Sequence, residues 1–406
     1  MFTPEGPIGI NYTDQQLVDI ERFCQTDVLS VDVTYNLGDF YVTTTAYKYK
    51  GLINPKTGSH PVFCGPTMVH FSNSQSTFKS VAQELVAANP NIRDIHFGTD
   101  EDKAIYQGFA EGLGPNRKGK HVTCFNHVRD SIKRKMTNLN MPKHAQREIL
   151  DDLFGFVDGE TKHTGIVDSK TEFEFEARVL NVQEKWEQLE SNTTKNSPPK
   201  FFDYFIQYKS QLILTTMIAP VREAAGQGSP PVPYTQNTVE SINNLCKVQA
   251  GFKKYDWATV NNNLKSIALE QRTEGLKALF GSGIYTLSED FKELEVPPNA
   301  WRTANIHQRM KAINRFSSFT VPLGPAVLLQ LPEPVRPHDE ANPISREDIP
   351  GSTSFKTDMW KKTLQLLDYC KSGNFRATFI FALFTLQPGC AKIKAREYVH
   401  FVLRSM

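Results

Sequence analysis

The chain has 406 residues, 39% hydrophobic and 11% aromatic, enough apolar material for one large core or two medium ones, which excludes a disordered chain. A formal net charge of +2 excludes neither nucleic acid nor a small molecule as partner, because binding depends on where the charge sits. Six scattered cysteines (Cys24, Cys64, Cys124, Cys246, Cys370, Cys390) lack the spacing of a disulfide-stapled secreted domain, and a reducing compartment is expected. Met1 to Ile10 lacks the basic and apolar regions of a signal peptide. The longest apolar run, Ala377 to Leu386, is far short of the roughly 20 residues of a membrane span, so a soluble, intracellular protein with no membrane partner is expected.

In chain order, Val28 to Tyr35 is apolar and β-branched, Asn36-Leu-Gly-Asp39 is a turn, and Phe40 to Tyr47 suits a pleated sheet; together they predict a hairpin. Pro61 to Phe71 predicts a third strand with a break or bulge at Gly65-Pro66. In Ser74 to Ala88, Phe78, Val81, Ala82, Leu85 and Val86 recur at helical spacing before Asn89-Pro90. Ile92 to Thr99 predicts a fourth strand, Glu101 to Glu111 a helix, His121 to Phe125 a fifth strand, and Asn126 to Met136 a helix. A three-strand meander followed by two strand–helix units reads as an α/β fold with a mixed five-stranded sheet and flanking helices.

Pro142 to Met217 turns helical, with an acidic stretch from Asp151 to Glu190 and a polar loop at Ser191 to Lys200, which reads as an inserted helical subdomain. Thr238 to Lys247 again looks helical, with Thr235 or Thr238 as its cap. Pro322 to Ser352 is Pro-rich and linker-like, and Met359 to Tyr369 looks helical. The expected organisation is an N-terminal extension (1–24), the first part of the core (25–138), a helical insertion (139–233), a helix completing the core (234–265), a helical and Pro-rich region (266–352) and a tail (353–406).

Three carboxylates stand out. Asp32 lies inside the first strand between Val31 and Val33, where desolvation is costly unless something such as a cation compensates it. Asp100 ends the fourth strand, at the carboxyl edge where α/β sites gather. Glu240 opens a later helix and can reach the same edge. Such an all-oxygen set suits two Mg²⁺ or Mn²⁺ ions and in-line phosphoryl displacement. Most of the 44 acidic residues are solvated surface groups, and strand position is what separates Asp32 and Asp100 from them. Phosphate-cradling Gly-x-x-x-x-Gly-Lys loops, Gly-x-Ser-x-Gly elbows and His-Glu-x-x-His motifs are absent from the sequence.

The strings around these acids resemble the Mutator-like element transposases. The first motif, a strand Asp followed by a small residue, Thr and an aromatic, reads Asp32-Val-Thr-Tyr35; the second, Thr-Asp before a helix, reads Gly98-Thr-Asp-Glu101. The third reads Tyr234-Thr-Gln-Asn-Thr-Val-Glu240-Ser-Ile-Asn-Asn-Leu-Cys-Lys247, and Cys124-Phe-Asn-His127 is similar to a Cys-x-x-His pair that the family keeps between its second Asp and its Glu. The resemblance covers about Cys24 to Lys265. It implies an RNase H-like core with a helical insertion before the last catalytic helix, and Asp32, Asp100 and Glu240 as both catalytic and metal-binding residues. It also implies metal-dependent cleavage and transfer of DNA, transposon ends and target DNA as partners, a homo-oligomer on DNA and, in a eukaryote, a nuclear location. Two features depart from the family. Glu101 and Asp102 follow where Gly is common, adding negative charge beside the site, and the flanking zinc modules of full transposases have no counterpart, as in a fragment, a truncated copy or a domesticated derivative.

Cys124 and His127 supply two ligands where structural zinc takes four, and Cys64 or His121 could join only if the fold brings them close. A buried structural or site-adjacent role is therefore expected, and zinc is not. Arg117, Lys118, Lys120, Arg129, Lys133, Arg134 and Lys135 form a basic run, with Arg129 and Lys133 on one helical face. Such a run is ordinarily a solvated surface; beside a phosphoryl-transfer site it reads as DNA-backbone contact. His60, His70 and His96 read as structural. The rivals to a transposase are a domesticated DNA-binding or regulatory protein without catalysis and a metal-dependent nuclease.

Overall fold

The structure, a computed structural model, describes residues 2–3, 6–194 and 198–320. The expected linker over 322–352 and the expected helix from 359 to 369 lie outside the described residues. In chain order the first elements are strands β1 (Phe2–Thr3) and β2 (Gly6–Asn11), helix α1 (Asp14–Cys24), β3 (Val28–Thr34), β4 (Tyr41–Lys48), β5 (Leu52–Ile53) and β6 (Val62–His70). Then follow α2 (Gln75–Ala88), β7 (His96–Thr99), α3 (Lys103–Leu113), β8 (His121–Thr123) and α4 (Phe125–Asn138). Among the described residues the principal sheet has seven strands in the order β1-β2-β6-β4-β3-β7-β8. β3, β4 and β6 form an antiparallel meander, and β7 and β8 add to β3 in parallel, each followed by a helix.

The expected meander and two strand–helix units are thus present, with two corrections. The sheet is wider than five strands, because β2 pairs antiparallel with β6, Ile8 opposite His70. Gly-Pro-Ile-Gly-Ile-Asn is too short and too broken to announce a strand, but β6 would otherwise be an open edge. The 1–24 segment also holds α1, started by a capping box between Thr13 and Gln16. The irregularity expected at Gly65-Pro66 is present: Thr44 pairs with Thr67 and Ala46 with Cys64, so Gly65 and Pro66 together stand opposite Thr45 as a bulge within β6.

One face of the sheet packs on α1, α2 and α3 through Leu29, Val31, Val33, Phe78, Phe97 and Phe109. The expected C-terminal region contributes to this same core: Leu279, Phe291 and Phe316 pack with Phe23, Tyr49 and Phe63, beneath a short pair of β5 with β11 (Thr286–Leu287). Against the other face lie α10 (Asn237–Gln249) and α11 (Trp257–Lys277), which bury Val239, Ile242, Cys246, Val260 and Leu264 on Val42, Ala46 and Val69.

The insertion has a core of its own. It comprises α5 (Lys143–Phe154), a small hairpin β9 (Phe156–Asp158) and β10 (Thr161–His163), α6 (Glu172–Thr193), α7 (Phe201–Phe205), a π-helical turn (Ile206–Ser210), α8 (Gln211–Thr216) and α9 (Ala219–Ala224). Trp186, Phe201 and Phe205 pack there against Val128, Ile132 and Met136 of α4, so the helix that follows β8 gives its buried face to the insertion. Buried Arg222 ties the exit of the insertion back to it, pairing with Asp168 at 2.7 Å and donating to the Met217, Pro231 and Val167 carbonyls. Among the described residues no helix is long and apolar enough to cross a membrane.

Gly98 in β7 is covered by the ring of Tyr234, and a methyl group at Gly98 would overlap that ring. Gly98→Ala should therefore cost about 1–3 kcal/mol in urea unfolding, as overpacked cores do, and adding Tyr234→Ala should make the Gly98 substitution nearly neutral.

Candidate active site

The carboxyl ends of β3, β7 and β8 lie side by side because the three strands run parallel. Asp32 is near the end of β3, Asp100 follows β7, and Cys124 follows β8 as the first residue of the turn into α4. Glu240 arrives from the far side of the insertion, in the first turn of α10.

A row of polar contacts fixes α10 on β3. The Tyr234 hydroxyl donates to Ser30 Oγ at 2.9 Å, and Ser30 also shares a 2.7 Å hydrogen bond with Thr238. Gln236 Nε2 donates to the Val31 carbonyl at 3.0 Å. Asn243 Nδ2 donates to Asp32 Oδ2 at 2.8 Å, while Asn243 Oδ1 accepts from the Thr44 hydroxyl of the next strand. Ser30 and Asp32 face the same side of the pleat, and Glu240 and Asn243, three apart, share one face of the helix. The expected Thr235 or Thr238 cap is absent: Gln236 occupies the cap position without a side-chain cap bond, its amide donating to the Val31 carbonyl, and Thr238 lies inside the helix with its hydroxyl on Ser30.

The three predicted acids are close enough to feel one another. Burial, then the charge of Asp100 and, less strongly, that of Glu240 push Asp32 up to about 6, against a lowering by the Val33 backbone and His127. Asp100 is also raised, by burial and by Asp102 and Glu101, while the Asp102 N–H at 2.9 Å on its Oδ1 and His127 work the other way. As the side chains stand, no three His, Cys, Asp or Glu residues among the described ones are gathered tightly enough to hold a metal ion. The donor set is nonetheless that of a hard cation: carboxylates that resist ionisation beside one another are what a bound dication relieves.

His127, one turn into α4, is the positive counterweight. The adjacent Cys124 side chain, together with the charges of Asp100 and Glu240, raises it to about 9 despite partial burial, and its Nδ1 is buried without a partner. Cys64 and His121 do not join the pair. Cys64 packs beneath α10 and α11, and His121 is stacked between Phe97 and Tyr106 at the opposite end of β8 with its Nε2 on Thr99.

Glu101 and Asp102, the departure from the family pattern, both have local partners. Asp102 caps α3 through the Ala104 N–H at 2.8 Å. Glu101 pairs with Lys209, which the π-helical turn of the insertion brings over and which also donates to Ser131 Oγ at 2.7 Å. Nothing in the sequence around Lys209 marks it for this role. Asn243 was legible only as a motif letter; its buried amide on Asp32 is what gives that letter meaning.

The basic run divides between two edges of the sheet. Arg129, Lys133 and Arg134 are exposed on α4, the helix that carries His127, whereas the Lys135 ammonium lies 4.8 Å from the Tyr204 ring. Lys118 and Lys120 are exposed at the opposite, amino end of β8, and the Arg117 guanidinium sits 5.3 Å from the Phe97 ring while donating to the Gly119 carbonyl at 2.7 Å. The three histidines expected to be structural have protein partners: His60 on the Leu52 carbonyl, His70 on Thr43 and Ser72, and His96 on Gln25 and Lys120.

Asp32 ionises less readily folded than unfolded, so metal-free stability should fall as pH rises from about 4 through 6. His127 holds its proton more tightly folded, so its contribution is full below about 6.5 and is lost as pH rises through 9. Asp32→Asn, which still accepts from Asn243, should stabilise the metal-free protein at pH 7–8 by on the order of 2 kcal/mol in urea titrations, with the gain vanishing by about pH 4.

No protein-family model, no curated protein and no solved structure matches this chain.

Proposed function

We propose that the chain is an RNase H-like DNA strand-transferase of the Mutator type, with Asp32, Asp100 and Glu240 as its acidic triad. The observation that carries this reading is the docking of α10: Tyr234, Gln236, Thr238 and Asn243, all within the third motif, bind β3 and so bring Glu240 to Asp32 and Asp100. The antiparallel meander continued by two parallel strand–helix units, and the insertion ahead of the last acidic helix, support it as well.

In this reading Asp32, Asp100 and Glu240 hold two Mg²⁺ or Mn²⁺ ions, which when bound supply Lewis-acid activation of water or a 3′-hydroxyl and neutralise charge on the phosphate. The chain's own part is positioning. Asn243, its amide oriented by Thr44, fixes the Asp32 carboxylate; His127 offsets the negative charge of Asp100 and Glu240; and Lys209 cancels Glu101 so that it does not compete beside Asp100. Arg129, Lys133 and Arg134 offer phosphate contacts that carry no sequence information.

Parent protein should nick supercoiled plasmid in Mn²⁺, and Asp32→Asn should abolish nicking while changing DNA affinity only a few-fold. Nicking that persists in purified Asp32→Asn overturns the role of Asp32, and a parent that binds DNA without cutting it favours the non-catalytic derivative. Replacing Arg129, Lys133 and Arg134 by Ala should flatten the log–log salt dependence of DNA binding by about one unit for each phosphate no longer neutralised; Arg117→Ala should leave that slope unchanged and lower stability instead.

A further inference from the structure

Tyr35 ends the first motif, and its side chain is 49% exposed at the edge where the acids lie. Its hydroxyl is raised by burial and by the charges of Asp102, Tyr41, Asp100 and Asp32, which locates it beside the site. By strand alternation it leaves the sheet on the face opposite Asp32, so it is a neighbour of the carboxylates and not one of their ligands. A large ring half in water is ordinarily loose. This one ends a row of rings anchored in the core: Tyr35 meets Tyr41 edge-on at 5.6 Å, Tyr41 stacks on His70 at 5.5 Å, and His70 meets fully buried Phe78 at 5.6 Å. His70 is pinned at both nitrogens, by Thr43 Oγ1 at 2.8 Å and the Ser72 carbonyl at 2.7 Å.

The apolar core gains little from a half-exposed ring, whereas a rigid aromatic surface beside a phosphate-handling site has a direct use. Resting on the strand-transfer reading above, we propose that Tyr35 is a stacking platform for an unpaired DNA base next to the phosphate held at Asp32, Asp100 and Glu240. A base inside a duplex has both faces covered, so the ring selects a strand that is single or locally opened. Stacking is sequence-tolerant and adds no charge contact, which distinguishes it from the exposed cations of α4. Tyr35 is thus a positioning residue: it sets where along the strand the reacting phosphate comes to rest.

The test uses the full chain and a fluorescein-labelled single-stranded 16-mer, with binding followed by anisotropy across a salt series. Tyr35→Ala and Tyr35→Leu should weaken binding about five- to a hundredfold with an unchanged salt slope, while Tyr35→Phe and Tyr35→Trp stay within about twofold of the parent. Tyr35→Leu keeps apolar bulk without a π-face, and melting curves for all four variants verify that each is folded. On an oligonucleotide of abasic residues, parent and Tyr35→Leu should bind alike. Equal affinity of parent and Tyr35→Leu for the normal 16-mer overturns the platform while leaving the strand-transfer reading intact. A loss shared by Tyr35→Phe assigns the effect to the hydroxyl and also overturns it. Absence of DNA binding by the parent overturns both.

Discussion

The hydrogen bond from Asn243 to Asp32 is the contact on which the site depends. It spans the insertion, joins β3 to α10, and is one of four polar contacts that α10 and the residues leading into it make on β3. A helix held only by Val239, Ile242 and Cys246 could slide or rotate on a flat apolar surface at modest cost, and each step of rotation would carry Glu240 away from the acids. Buried polar groups allow no such tolerance, because a displaced partner leaves a desolvated donor or acceptor behind. The motif letters Tyr, Gln, Thr and Asn therefore specify register, and the Glu among them is delivered by it.

Charge is the second constraint. Asp32, Asp100, Glu101, Asp102 and Glu240 gather at one sheet edge, and the fold meets this excess in three local ways. The α3 amino terminus takes Asp102, Lys209 takes Glu101, and His127 faces Asp100 and Glu240. Burial and the charge of Asp100 still leave Asp32 raised, and a bound cation would relieve that repulsion.

The parts of this arrangement that were legible in the sequence are those with local signatures. β-branched runs and turns marked the meander, helical spacing marked α2, and the placement of Asp32 and Asp100 followed from strand and strand end. What was hidden depends on partners distant in sequence. β2 exists because β6 needs an edge partner; Lys209 matters because a π-helical turn aims it at Glu101; Arg117 and Lys135 were indistinguishable from their basic neighbours until Phe97 and Tyr204 claimed them. The segment over 278–319 reads weakly because its apolar residues are spaced to fill gaps in a core built by other elements.

The Thr44–Asn243–Asp32 chain also has a direction. Thr44 donates to the amide oxygen of Asn243, and Asn243 Nδ2 donates in turn to Asp32 Oδ2; with Asp32 ionised, turning the amide over would set its oxygen against a carboxylate oxygen. Asp32 Oδ2 therefore accepts while the carboxyl is ionised. In this orientation a proton taken up by Asp32 goes to Oδ1 and leaves the bond to α10 in place. Held so, α10 keeps its contact with Asp32 in both protonation states.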